Sequence, residues 1–153
     1  MLNIYDEYDR WLKRADASLQ EKLNEMANNS AAIEDAFYRD LAFGTGGLRG
    51  IIGAGTNRMN LHTVAKASQG LANYVLRRFD PESRRIAVSY DSRIFSREFA
   101  EVAACVFAAN DIQVLIYPRL MPTPCLSWAV RELKCAAGVM ITASHNPAKY
   151  NRF

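Results

Sequence analysis

Apolar residues recur in steps of three or four along the first segment, at Ile4, Tyr8, Trp11, Ala15, Leu19, Leu23 and Met26. This spacing lays one apolar stripe on a helix and predicts a helix from about Ile4 to Met26. Asp9, Arg10, Lys13, Arg14, Glu21 and Lys22 fall on the other face, and Asn28-Asn29-Ser30 breaks the pattern. Ile33, Phe37 and Leu41 mark a second short helix. The two helices predict an arm over residues 1–40, packed on a domain of residues 41–153.

The stretch Gly44 to Gly55 holds most of the chain's glycines and reads as loop and tight turn. Leu61 to Phe79 returns to helical spacing. The period then changes. Ile86–Tyr90, Ile112–Tyr117 and Ala136–Thr142 are β-branched and apolar runs, read as strands. Between them lie two helical stretches, Ser96–Asn110 with Ser96 as N-cap, and a helix opened by Thr123-Pro124. A β-α-β-α-β order predicts an α/β fold, three layers α/β/α around a mostly parallel, mixed sheet. Right-handed crossovers would bring Asp91-Ser92-Arg93 and Ala143-Ser144-His145 to the same sheet edge, at the carboxyl ends of their strands, where ligands gather in such folds.

Composition narrows the function classes. The chain has 153 residues, half of them hydrophobic, which suits one domain with a real core. A net charge of +3 argues against a dedicated nucleic-acid binder. No stretch resembles a secretory signal or is long enough to span a membrane, so a cytoplasmic location and no membrane partner are expected. Cys105, Cys125 and Cys135 form no C-x-x-C pair and are expected as free thiols, with Cys105 buried in its apolar stretch.

Two motifs carry candidate chemistry. The first is Thr142-Ala143-Ser144-His145-Asn146-Pro147. A serine hydroxyl is a weak nucleophile until something takes its proton, and His145 is the side chain best suited to carry one near neutral pH. The G-x-S-x-G elbow fails, because Thr142 and Asn146 stand where glycines are needed. A serine hydrolase of Ser144 and His145 would need an acid, for which Asp91 is the candidate, and an oxyanion hole. A plain polar turn after a strand also fits these residues. The second motif is Phe43-Gly44-Thr45-Gly46-Gly47-Leu48-Arg49-Gly50. It misses the dinucleotide-binding pattern because Arg49 occupies the third glycine position. An arginine among glycines can approach a phosphoryl group and fork onto two oxygens, whereas a hairpin turn explains the glycines alone.

The serine loop resembles the signature of the α-D-phosphohexomutases, the family of phosphoglucomutase and phosphomannomutase. The glycine-rich loop is similar to that family's first active-site loop, and Asp91-Ser92-Arg93 followed by Ser96 to a third, weaker motif. The resemblance implies that Ser144 carries a phosphoryl group. It also implies that His145 and Arg49 are catalytic, and that Thr45, Gly46, Arg49, Arg93, Ser144, His145 and Asn146 meet a hexose phosphate. The phosphoryl group would move between C1 and C6 through a bisphosphate, with Mg2+ and glucose 1,6-bisphosphate as cofactors. In the family, a phosphoserine oxygen, here that of Ser144, is a magnesium ligand. The remaining ligands are aspartates of a D-G-D-x-D-R loop that this sequence lacks.

The chain therefore reads as the first of four domains, with the missing domains of the parent as its partners. A lysine proposed to carry protons in the family would stand one position past Phe153. The isolated chain is expected to have little or no mutase activity, and a non-catalytic interaction module is the alternative. Arg152 stands where the family usually has glycine.

Overall fold

The computed structural model describes residues 3–44, 46–143 and 146–153. Its centre is β3 (Arg85–Tyr90), flanked in parallel by β4 (Gln113–Ile116) and β5 (Ala137–Ile141), in the order β4-β3-β5. From Ile86 to Tyr90 every residue of β3 is buried, as expected for a strand covered on both faces. Side-chain alternation divides the two faces. Ile86, Val88 and Tyr90 join Val75, Phe99, Ala103 and Phe107, from α4 (Leu61–Arg78) and α5 (Ser96–Ala109). Ala87 packs instead under Leu126 and Ala129 of α6 (Thr123–Glu132). The result is the three-layer α/β/α arrangement. Phe99 and Phe107 are essentially inaccessible; truncating either to alanine should cost about 3–5 kcal/mol.

The connections position the site. α5 links β3 to β4 on one face, and α6 links β4 to β5 on the other. The chain therefore leaves β3 toward one side and returns on its opposite side. Tyr90 is paired with Ile141, so the loops after β3 and β5 begin side by side at a topological switch point.

A hairpin of β1 (Phe43–Gly44) and β2 (Gly47–Ile51) replaces much of the loop expected between Gly44 and Gly55. β2 pairs antiparallel with β6 (Tyr150–Arg152), and Thr142 N–H donates to Arg152 O at 3.2 Å. That bond links two three-stranded sheets, the antiparallel β1-β2-β6 and the parallel β4-β3-β5, where one mixed sheet was expected. Glycines conceal the strand in the sequence. At Gly47 the backbone has φ 109°, and a Cβ there would lie 2.3 Å from Phe153 O, so the close approach of β2 to the chain end requires glycine.

Several local expectations are corrected. The helix expected over 4–26 is two helices, α1 (Ile4–Arg14) and α2 (Ala17–Met26), with Ala15 extended between them. Asp16 starts the second by accepting from Leu19 N–H, which competes successfully with helix continuation. α3 (Ser30–Phe37) ends before Leu41, whose methyl groups cover Gly50 instead. Ser96 is the first helical residue of α5 rather than its cap. The cap is Phe95, in the left-handed region at φ 63°, while the Ser96 hydroxyl turns to Asp91. Pro122 caps α6, without a side-chain bond, in place of Thr123. Cys105 is exposed, because Ala100, Ala103 and Phe107 define the buried side of α5.

Helices α1 to α3 share a core of Tyr8, Leu19, Leu23, Ile33, Ala36 and Phe37, closed by Ala54. Trp11 connects it to α4 by edge contacts with Phe37 and His62 at 5.7 and 5.4 Å. No helix among the described residues is long and apolar enough to cross a membrane.

Candidate functional site

Asp91 follows β3 and organises the crevice. Its Oδ1 accepts from the Ser96 hydroxyl at 2.7 Å and from Arg93 N–H at 3.0 Å. Its Oδ2 accepts from the Thr142 hydroxyl at 2.6 Å. The Arg93 guanidinium lies 3.8 Å from the same carboxylate and donates to Pro147 O at 3.3 Å. One carboxylate thus ties the loop after β3, the first turn of α5 and the end of β5.

The network continues to β6. Asn151, wholly buried, donates to Ser96 Oγ and to Ile94 O, both at 3.1 Å, and accepts from Arg152 N–H at 2.8 Å. Asn146 returns to Ala143 O through its side-chain amide at 2.8 Å and its backbone N–H at 3.0 Å. Each of these buried or half-buried groups has a partner, as rigid polar networks require. The described flanks of the serine motif are thus tied down, Thr142 to Asp91 before it and Asn146 to Ala143 and Pro147 to Arg93 after it. Ser144 and His145, the two expected catalytic residues within it, lie outside the described residues, as does Thr45.

Arg49 and Gly46 belong to a second part of the site. Arg49 projects from β2 opposite Arg152 of β6, and both line a polar cavity of ≈ 390 Å³ with Ala42, Gly44, Gly46 and Gly47. Arg93 and Asn146 are with Asp91 and do not line this cavity. The expected residues therefore form two groups, joined by the Thr142–Arg152 backbone bond. Arg152 was legible in the sequence only as an unusual residue. The β2–β6 register places it beside Arg49.

The hydrolase arrangement finds no support at Asp91, because both carboxylate oxygens are engaged by Ser96, Arg93 and Thr142. The same engagement leaves Asp91 poorly suited as a metal ligand. Among the described residues no group of three or more His, Cys, Asp or Glu side chains could hold a metal ion. Magnesium thus finds no donor set among the described residues, and Ser144, whose phosphate oxygen is the expected ligand, lies outside them.

Residues 40–153 match the family described as phosphoglucomutase/phosphomannomutase, alpha/beta/alpha domain I. The chain is 40% identical over 143 residues to a phosphoglucomutase of Staphylococcus haemolyticus, covering 94% of this chain and 26% of that protein. It is 42% identical over 141 residues to a Staphylococcus aureus phosphoglucomutase, covering 92% and 25%. A solved structure from Thermus thermophilus, assigned as a phosphomannomutase, superposes with a TM-score of 0.67 at 33% identity, over 74% of this chain and 24% of that one. The chain thus spans about a quarter of the length of the relatives it matches.

Proposed function

The chain belongs to the phosphoglucomutase/phosphomannomutase family through its α/β/α domain I, and on that premise we propose that it supplies the phosphoserine of a hexose-phosphate mutase, with Ser144 as carrier. The observation that supports this reading is the bonding of the motif's two flanks at the switch point, Thr142 to Asp91, and Pro147 and Asn146 to Arg93 and Ala143. Phosphoryl transfer is chiefly a matter of positioning and charge stabilisation, so a nucleophile on a braced loop at a strand end suits it.

In the proposed step, the bond between phosphorus and Ser144 Oγ breaks as a bond to a sugar hydroxyl forms. The hydroxyl proton leaves for a neighbouring base, and His145 is the candidate within this loop. The bisphosphate reorients, and Ser144 takes back the other phosphoryl group. Arg49 faces the charge that spreads over the equatorial oxygens. Thr45, Gly46, Arg93 and Asn146 join it in meeting the bound hexose phosphate. Glucose 1-phosphate and glucose 6-phosphate are the favoured substrates, since the Staphylococcus relatives are phosphoglucomutases. Residues 1–40 form an arm added to the domain of residues 41–153. The expectations of Mg2+ and of glucose 1,6-bisphosphate rest on the family resemblance, and that of a cytoplasmic location on the sequence pattern.

The coverage of about a quarter of each relative supports a second reading for the chain alone, a non-catalytic domain that acts only with the rest of such an enzyme. A graft of this chain in place of the first domain of the Staphylococcus aureus relative separates the two. Interconversion of the glucose phosphates that disappears in Ser144→Ala supports the catalytic reading. A folded graft that is inactive, or whose activity survives Ser144→Ala, rejects it.

A further inference from the structure

Arg49 and Arg152 are directly opposed across the β2–β6 ladder, so their side chains rise from the same face of the sheet. Like charges in that position repel. Among the described residues neither guanidinium has a hydrogen bond or an ion pair, whereas Arg10, Arg58, Lys66, Arg93 and Arg97 all meet carboxylates. Both line the same polar cavity of ≈ 390 Å³, walled by Gly44, Gly46 and Gly47. Gly46 lets the Arg152 guanidinium lie close against the backbone. A Cβ on Gly46 would lie 3.0 Å from an Arg152 terminal nitrogen, so a side chain there would press on the guanidinium. Two uncompensated planar cations facing a polar hollow are arranged to receive an anion with several acceptor oxygens.

We propose that Arg49 and Arg152 form a two-arginine clamp for a phosphate monoester dianion, with Arg152 as a binding residue that the sequence motifs do not assign. The choice of phosphate over other oxyanions rests on the proposed function, while the clamp rests on the geometry alone. The shared ligand chemistry has two sources, the phosphate of a hexose phosphate and the phosphoryl group on Ser144.

The test is titration of the 153-residue chain with inorganic phosphate at fixed ionic strength, read by calorimetry and by the thermal midpoint. Saturable binding is expected, together with a midpoint that rises with phosphate, since a ligand of the folded state stabilises it. Arg152→Gln and Arg49→Gln should each weaken binding by roughly tenfold or more, as loss of a charge-assisted hydrogen-bond pair implies. Arg152→Lys should recover only part of it, because an ammonium cannot fork. Arg131→Gln, on α6, serves as the control and should bind as the parent chain does. Unchanged binding in a folded Arg152→Gln variant, or an equal loss in Arg131→Gln, overturns the clamp.

Phosphorylation of Ser144, read separately by mass, keeps the two claims distinct. An adduct on Ser144 with phosphate affinity indifferent to Arg152 sinks the clamp and leaves the function. Clamp binding by the chain, with no adduct on Ser144 in its graft into the Staphylococcus aureus relative, does the reverse. Where both hold, loss of phosphate affinity on phosphorylating Ser144 identifies its phosphoryl group as the occupant, and retained affinity identifies the sugar phosphate.

Discussion

The Thr142 hydroxyl donates to Asp91 Oδ2 at 2.6 Å, across the carboxyl ends of two adjacent parallel strands. This bond fixes the residue two positions before Ser144 to the loop after β3. Replacing Asp91 by asparagine leaves the hydroxyls of Thr142 and Ser96 and the Arg93 N–H competing for one acceptor oxygen. Asp91→Asn should destabilise the chain by about 1–3 kcal/mol in urea unfolding, the usual effect of breaking a half-buried network. Thr142→Val should cost less, and the double mutant less than the sum, because the residues are in contact. Additive losses would show that the bond carries no coupling.

Two glycine-to-alanine substitutions should have opposite signs. Gly47→Ala meets Phe153 O at a φ that disfavours a side chain and should cost at least about 1–3 kcal/mol. Gly70 lies within α4 with nothing within 4 Å of an added Cβ, so Gly70→Ala should gain about 0.5–1 kcal/mol. Thermal unfolding of both variants checks the pair.

Asn60 does more than cap α4. Its side chain accepts from Thr63 N–H at 3.0 Å and donates to Gly53 O at 2.9 Å and Gly55 O at 3.0 Å. Asn60→Ala should therefore exceed the roughly 1 kcal/mol of an ordinary cap, because two carbonyls lose their donor. Asn60→Asp keeps the acceptor and loses the donor. Protonated at acid pH, its carboxyl regains one O–H donor for two carbonyls, so its denaturant midpoint there should fall between the parent and alanine.

The parallel core was readable because Ile86-Ala87-Val88 and Val139-Met140-Ile141 are apolar runs bounded by polar turns. The crossover rule then brought Asp91 and the serine loop together before any coordinates. β2 was hidden because its inward positions are Leu48 and Gly50, and glycine carries no hydrophobic signal; Gly50 is buried only because Leu41 covers it. The break at Asp16 was hidden for a related reason. The apolar stripe runs through it, and the competing signal was a single capping side chain. β6 is three residues long and exists through pairing with β2, so nothing local announced it. The motifs marked Arg49, Arg93 and Asn146, while Thr45, Ser144 and His145 lie outside the described residues. The opposition of Arg49 and Arg152 needed the register.

The thiols should differ in reactivity. Cys105 is exposed, whereas burial pushes the Cys135 thiol up, with the Arg85 charge opposing. The thiolate is the reactive form. Alkylation of the native chain should modify Cys105 first, and Cys135 should need higher pH. The linkage has the corresponding sign: a thiol raised above its unfolded value favours the fold below the unfolded value, and that contribution is lost as pH rises through the folded one. Equal alkylation rates at all three cysteines would contradict this.

The most direct measurement is peptide mapping by mass spectrometry after incubation with glucose 1,6-bisphosphate and magnesium, for the chain alone and for its graft into the Staphylococcus aureus relative. If Ser144 is the phosphoryl carrier, the graft should hold one phosphate, on Ser144, and the chain alone should label weakly or not at all. Phosphate on another residue, or none on Ser144 in either protein, would contradict that role.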